Sequence, residues 1–349
     1  MTARRILLPF AALALVAAAF VLPFGSSSNS NANAVTTLAE PVTAFTIMDN
    51  SQGLCDLYTI DLATGALTDL PAPSSEAACA IDLAVAANGT VYGIAGAQLY
   101  SVTSVSPSAD SLNGAELITF SADGTPSGQS LTVGGLPISG LNGGGIAIDA
   151  AGTVYVIALN ETTCSPPLTA PGSVGQSDSV AFNCLFTVNL STGELTQVGD
   201  GFAPNSSVFG LTSCASTMWS LIPGISPTSV EQSPASIGVP WASIDPATAI
   251  PTEAGVSTQL LGHDCVATGN TVYAMSTGGF GVGANNLTPS VPGIPDLGTV
   301  DPTTGVFTET VTMSTPTGYI SPLAFAVLPI PVEPAPEPNP APLAPNFTH

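Results

Sequence analysis

The chain of 349 residues carries 24 acidic and two basic side chains, a formal net charge of −22, while 45% of its residues are hydrophobic. Both basic residues, Arg4 and Arg5, stand at the amino terminus, so the rest of the chain contains no lysine or arginine. This excludes a basic nucleic-acid surface, a phosphate-binding or Schiff-base lysine and an arginine clamp for anions. The ordinary hydrophobic content predicts a packed core, and the abundant Thr, Val, Ser and Gly predict an all-β protein of short strands and tight turns.

The amino terminus has the order of a targeting segment. Basic residues 1–5 precede an apolar run over residues 6–24, and a small polar stretch then ends in Ala32-Asn33-Ala34. This order predicts a signal peptide over residues 1–34, followed by a linker over residues 35–41. The apolar run is also close to the length that spans a bilayer, so an uncleaved anchor is the alternative, and membrane contact is expected only in that case. Both interpretations predict a secreted, extracellular or cell-surface protein.

Six cysteines follow the targeting segment. An even number of cysteines in an exported chain predicts disulfides, and the absence of close C-x-x-C spacing argues against a metal site built from them. Pairing each cysteine with its nearest neighbour is the connectivity we expect among the fifteen that are possible. The predicted pairs are Cys55 with Cys79, Cys164 with Cys184, and Cys214 with Cys265.

Two kinds of hairpin repeat along the chain. The first reads apolar-x-x-apolar-Asp/Asn-x-x-Thr-Gly, which predicts a strand, a glycine turn and a returning strand. It occurs at 57–70, 185–198 and 297–311, with a weaker copy at 242–256. The second hairpin occurs at 80–95, 145–158, 209–221 and 265–275. Because the two kinds alternate, each successive pair predicts a four-stranded antiparallel unit.

The two ends of the repeat region complement each other. The first unit lacks its innermost strand, and an apolar strand at 319–328 has no partner of its own. If that strand completes the first unit, the result is a β-propeller of five four-stranded antiparallel blades over residues 42–328, closed by pairing of the N- and C-terminal strands. A sixth blade hidden in residues 99–120, or a tandem β-sandwich, are the alternatives. Residues 329–349 form a predicted proline-rich tail.

One repeat hairpin carries a family resemblance. The sequence GIAIDAAGTVYVIA at 145–158 resembles the repeat of NHL-type and strictosidine-synthase-like propellers, and LYTIDLATGALTDL at 57–70 resembles that of secreted bacterial propeller domains of unknown function. The resemblance covers about residues 42–328 and implies the propeller architecture. Some similar propellers are calcium-dependent lactonases or hydrolases whose metal site of Glu, Asn and Asp lies at the ring centre. This chain does not match a complete set of those ligands residue by residue.

Three aspartates are candidate metal ligands at the propeller axis. Asp82, Asp149 and Asp264 each follow a predicted innermost strand, so their carboxylates could converge on one mouth of an axial channel. Calcium would offset the repulsion between them, since no lysine or arginine is near. The competing interpretation is that each aspartate forms a turn. The only internal histidine, His263, is predicted to be structural because no Gly-x-Ser-x-Gly elbow accompanies it.

These observations favour a protein that is not an enzyme. We expect a secreted propeller that serves as an extracellular or cell-surface structural or binding module, with an extracellular protein, a glycan or further copies of itself as partner, and no nucleic acid. One alternative is a calcium-dependent, lactonase-like hydrolase with its site at the axis. Another is a glycan-binding lectin that uses exposed aromatic side chains.

Overall fold

The strands in the structure, a computed structural model, alternate with tight turns. The structure describes residues 43–50, 52–95, 115–138, 144–159, 183–202, 208–222, 239–257, 260–266, 270–277, 295–314 and 319–328. In chain order these contain strands β1 (Thr43–Asn50), β2 (Cys55–Asp61), β3 (Leu67–Asp69), β4 (Asp82–Val85), β5 (Val91–Ala95), β6 (Glu116–Phe120), β7 (Pro126–Ser130), β8 (Thr132–Val133), β9 (Leu136–Pro137), β10 (Gly145–Ile148), β11 (Val154–Leu159), β12 (Asn183–Val188), β13 (Leu195–Val198), β14 (Phe209–Cys214), β15 (Thr217–Leu221), β16 (Val239–Ile244), β17 (Pro251–Ser257), β18 (Leu260–Cys265), β19 (Val272–Thr277), β20 (Pro295–Val300), β21 (Phe307–Thr312) and β22 (Tyr319–Val327). One 3₁₀ turn, Glu76–Ala78, lies between β3 and β4.

Twenty of these strands form five four-stranded antiparallel sheets. Blade one has the order β22-β1-β2-β3, blade two β4-β5-β6-β7, blade three β10-β11-β12-β13, blade four β14-β15-β16-β17 and blade five β18-β19-β20-β21. The first strand of each blade contacts the first strand of the next, and contacts of β22 with both β18 and β4 complete the circle. The chain is a five-bladed β-propeller.

The predicted closure is confirmed. β22 pairs with β1 in antiparallel register, with Ala44 opposite Val327, and so supplies the innermost strand that the first unit lacks. The sixth blade is not formed in the described residues, because Glu116–Phe120 is the third strand of blade two and pairs with β5. The rest of that predicted hairpin, and the predicted signal peptide, linker and tail, lie outside the described residues. The tandem sandwich is wrong, because the five sheets form a ring.

The hydrophobic core lies between the blades. It divides into five clusters, and each cluster combines buried side chains from two neighbouring blades. Met48 of blade one and Met275 of blade five belong to the same cluster, so the last interface is packed like the others. Each blade therefore buries both of its faces only when the ring is complete, which makes closure a condition for stability.

Glycines allow the innermost strands to approach closely. The amide of Gly210 donates to the carbonyl oxygen of Gly144 at 3.0 Å, a hydrogen bond between blades three and four. A Cβ at Gly145 would lie 2.5 Å from the nitrogen of Leu211, and one at Gly262 would lie 2.7 Å from the Cβ of Phe325. A larger residue would collide at these positions, so the glycines allow the innermost strands of neighbouring blades to lie this close together.

The repeated Asp/Asn-x-x-Thr-Gly turns hold neighbouring blades together. In each turn the first side chain accepts a hydrogen bond from the amide two residues later, as between Asp301 and Thr303 at 2.8 Å. The glycine has positive φ and lies against the outermost strand of the preceding blade, where a Cβ at Gly65 would be 2.6 Å from the oxygen of Thr312. The weaker copy has Ala249 at this position, with φ of 58°. The repeat is therefore a device for docking blades.

This role predicts a large cost for a methyl group at Gly193. Its Cβ would collide with the carbonyl oxygen of Ser130 in blade two, whereas a Cβ at Gly152, also with positive φ, would meet nothing within 4 Å. We expect Gly152→Ala to lower the free energy of unfolding by about 1 kcal/mol, from backbone strain alone. We expect Gly193→Ala to lower it by about 3 kcal/mol or more, because overpacking is added. Urea denaturation of both variants measures the difference, and equal losses would contradict the docking role.

Candidate functional site

Two of the three predicted ligands lie at the ring centre, but inside the innermost strands. Asp82 is the first residue of β4 and Asp264 is the penultimate residue of β18. Both side chains are buried, with 1% and 6% of their surface exposed. The negative charge of Asp264 contributes to raising the pKa of Asp82, as expected for carboxyl groups on strands that face one axis.

Asp82 connects three blades. Its Oδ2 accepts hydrogen bonds from the amides of Ile146 in blade three at 2.9 Å and Leu211 in blade four at 3.1 Å. Burial raises the pKa of this carboxyl well above its ordinary value, against the opposing effect of the two amides. Both amides bind the same oxygen, so this side chain links blade two to blades three and four through its Oδ2.

Asp264 connects the ring-closing strand to blades four and five. Its Oδ1 accepts from the hydroxyl of Thr212 in β14 at 2.8 Å, and its Oδ2 accepts from the amide of Val327 in β22 at 2.9 Å. Burial raises the pKa of this carboxyl to about 7. Both oxygens are therefore occupied by bonds between blades, and one of them binds the strand that closes the ring.

Asp149 lies apart from this pair, in the turn after β10. Its Oδ1 accepts from the amides of Ala151 and Thr153 at 2.9 and 2.8 Å, which is the turn-forming role. The structure therefore brings together Asp82 and Asp264 but not all three predicted ligands. Within the described residues no group of three or more His, Cys, Asp or Glu side chains is arranged to hold a metal ion. The pair alone lacks the six to eight oxygen ligands that calcium takes.

His263 packs against aromatic residues beside the axis. Its ring meets the edge of Trp241 with centroids 5.0 Å apart, and Trp241 stacks in parallel on Trp219 at 5.8 Å. Burial lowers the pKa of His263 to about 4, so the ring is neutral at pH 7. Trp241 is fully buried and its Nε1 donates to the oxygen of Pro302 at 3.1 Å. These side chains form core, so Trp241 offers no exposed face to a sugar.

Disulfides fix the ring at two blade junctions. Cys55 bonds Cys79, between the start of β2 and the segment before β4. Cys214 bonds Cys265 and joins the ends of the innermost strands of blades four and five. Both predicted pairs are confirmed. Cys184 is also disulfide-bonded, and Cys164, the partner predicted for it, lies outside the described residues.

The sequence did not reveal the partners of the central carboxylates. Thr212 and the three strand amides that bind Asp82 and Asp264 come from blades distant along the chain. The available signal is the position of each aspartate inside an apolar strand, AIDLAV and GHDCV, since a carboxyl placed there must find internal hydrogen bonds.

Known proteins give only distant matches to this chain. No protein-family model and no curated protein matches the chain. Solved propellers that match include TolB from Acinetobacter baumannii (10% identity, 78% of this chain and 54% of that chain, TM-score 0.41), a gluconolactonase from Xanthomonas campestris (12%, 80% and 78%, 0.37) and a chain of a nidogen/laminin complex (12%, 82% and 98%, 0.40). The chain thus spans about half the length of the TolB chain. At these identities and TM-scores the matches transfer no activity to this chain.

Proposed function

We propose that the protein is an exported, non-enzymatic propeller that acts outside the cell or at its surface as a binding and structural module. The observation that carries the proposal is that the two buried carboxyl groups at the ring centre serve to hold blades together. Asp82 and Asp264 hold four hydrogen bonds between blades, and burial raises the pKa of both. Buried carboxyl groups whose oxygens already hold blades together are poorly placed to bind a substrate or a metal ion.

Two further features support export and durability. Disulfides persist in oxidising compartments and are rare in the cytosol, and two of them are formed here across blade junctions. Between Ile6 and the carboxyl terminus the chain has no lysine or arginine, so trypsin-like proteases find no site there. Among the described residues no helix is long and apolar enough to cross a membrane.

Location and activity test the proposal separately. An antibody against the propeller should detect it on intact cells or in the medium of the producing organism, and mass spectrometry should find a mature chain that starts near Val35. The purified mature protein should hydrolyse no lactone above the buffer rate in a pH-stat, with or without calcium, with glucono-δ-lactone among the substrates.

Turnover with a particular pattern would contradict the proposal. The decisive result is hydrolysis that survives purification, falls in folded Asp82→Asn and Asp264→Asn variants, and persists in Asp301→Asn. Asp301 lies in an exposed turn of blade five and serves as the matched control. Retention of the mature chain in the cytoplasm would contradict the exported role independently.

A further inference from the structure

Every blade carries a pair of hydroxyl side chains on its outer two strands. The paired residues stand directly opposite each other, and side chains in that position share one face of a sheet. One member of each pair is exposed and the other half-buried. The pairs are Thr59 with Thr68, Thr119 with Ser127, Thr187 with Thr196, Ser243 with Thr252, and Thr299 with Thr308.

Blade four differs from blades two and three beside this pair. Four residues separate Ser213 from its partner Met218, whereas five separate Ile148 from Val154 in blade three. The shorter turn contains Ala215 in a left-handed conformation, with φ of 55°. It also places Cys214 where blade three has Asp149, and the sulfur of Cys214 is held by Cys265. A carboxylate that interacts with the tyrosine of blade three is therefore missing from blade four.

A cavity of about 260 Å³ opens on this blade. Its polar lining is Ser216, Thr217, Asp245 and the pair Ser243 and Thr252. Four hydroxyl groups and one carboxylate thus face a space below the range of about 300–1,000 Å³ typical of drug-sized pockets. The volume suits a ligand of one small ring.

Apolar side chains border the polar part. Ile250, which is 62% exposed, lines the cavity together with Pro246. Trp219 lies opposite Ser243 in the register, so its half-exposed ring is on the same face of the blade. A ligand with hydroxyl groups on its edge and C–H groups on its faces would satisfy both kinds of lining.

The charge at the cavity restricts the ligand further. The amide of Ala247 and the hydroxyl of Thr248 donate hydrogen bonds to Asp245. These bonds lower the pKa of this exposed carboxyl, which is therefore ionised at pH 7. An ionised carboxylate accepts hydrogen bonds from ligand hydroxyls and repels anions. The chain provides no lysine or arginine here to compensate an anionic ligand.

We propose that the blade-four cavity binds a neutral, polyhydroxylated ring, such as one residue of a glycan. Ser243, Thr252 and Asp245 form its hydrogen-bonding edge, and Ile250 forms its apolar contact. The proposal rests on the binding role proposed above and specifies its ligand class. The other four hydroxyl pairs serve as internal controls, because they share the residue types of the cavity without its shorter turn.

Saturation-transfer NMR on the mature protein tests this site. The probes are the methyl glycosides of glucose, galactose and mannose, with glucuronate as the anionic counterpart. At least one neutral glycoside should receive saturation from the protein, and glucuronate should receive much less. Ser243→Ala/Thr252→Val should weaken that binding about thirtyfold, the factor that corresponds to the loss of two hydrogen bonds of about 1 kcal/mol each.

The matched control is Thr187→Val/Thr196→Val, the same change on blade three. It should leave binding unchanged, and the two double variants should lower the unfolding temperature equally and slightly, because each loses one matching hydrogen bond, from Ser243 to the oxygen of Thr252 or from Thr187 to the oxygen of Thr196. Lack of transfer to every neutral glycoside, or equal loss in the two variants, would overturn the site. A protein that is exported and inert on lactones yet binds no glycoside would refute this inference alone, whereas lactone turnover would refute the proposed function.

Discussion

A chain that ends at Gly318 will not fold cooperatively, because it lacks the strand that closes the ring. Ala324, Phe325 and Ala326 of that strand are fully buried, so the truncated chain loses all of their hydrophobic contacts. Asp264 would lose the amide of Val327, and the buried hydroxyl of Thr46 would lose the oxygen of Ala324. Together with exposure of two blade interfaces, these losses exceed the 5–15 kcal/mol of net stability typical of proteins. Far-UV circular dichroism during urea titration should show no cooperative transition.

Two further chains keep this prediction falsifiable. A chain that ends at Ile330 retains the strand and should unfold like the full chain. A circular permutant that places residues 319–328 ahead of Thr43, through a short glycine-rich loop, should regain the transition. The loop can be short because the amide of Leu328 donates to the oxygen of Thr43 at 2.8 Å. Cooperative unfolding of the truncated chain would show that closure by this strand is dispensable. A permutant without a transition would also contradict the prediction, because restoring the strand would then not restore folding.

The architecture was predictable because the repeat records it locally. Asp61 and Gly65 predict a hairpin because the aspartate accepts a hydrogen bond from an amide of its own turn, and the same pattern recurs at Asn189 and Asp301. Ring closure followed from counting, since an unpartnered strand at each end leaves two edges to be joined. Nearest-neighbour pairing also succeeded for Cys55 with Cys79, because consecutive blade elements lie close in a propeller.

The site was less predictable because it depends on packing between blades. Asp82 and Asp149 follow similar sequence patterns, yet one carboxylate crosses the axis and the other folds back onto its own turn. Which of these occurs depends on the position of the aspartate, because Asp82 occupies the register position of Gly145, at the start of the strand, whereas Asp149 follows the end of its strand. The blade-four cavity is likewise lined by Ser216, from a turn one residue shorter than that of blade three, and the hairpin pattern alone does not reveal this difference.

The free energy of unfolding should depend on pH in two opposing ways, because the neighbouring residues His263 and Asp264 on β18 change it in opposite directions. The pKa of Asp264 is raised by burial from 3.8 to about 7, so the folded state holds a proton that the unfolded chain releases. Its contribution to stability is complete below pH 3.8 and is lost as the pH rises through 7, about 4 kcal/mol in all. Asp82, whose pKa is also raised, acts in the same direction.

The contribution of His263 to stability depends on pH in the opposite direction. Its pKa is lowered by burial from 6.5 to about 4, so the unfolded chain binds a proton that the folded state refuses. Its contribution is complete above pH 6.5 and is lost as the pH falls through 4, about 3 kcal/mol in all. Between pH 4 and 6.5 the effects of Asp264 and His263 on stability therefore oppose each other, and Asp82 adds to the effect of Asp264.

Replacing the buried aspartates should reveal the pH dependence due to His263, and replacing His263 should reveal that due to the aspartates. In Asp82→Asn/Asp264→Asn, the amide oxygens can still accept the strand amides, but the acid stabilisation is absent, so we expect the variant to lose stability relative to the parent as the pH falls from 7 to 4. His263→Gln should instead gain about 3 kcal/mol relative to the parent over that interval. Urea titrations at several pH values measure both differences, with Asp301→Asn as the exposed control. If the two variants deviate from the parent in the same direction, the buried side chains at the ring centre do not hold the protons assigned to them.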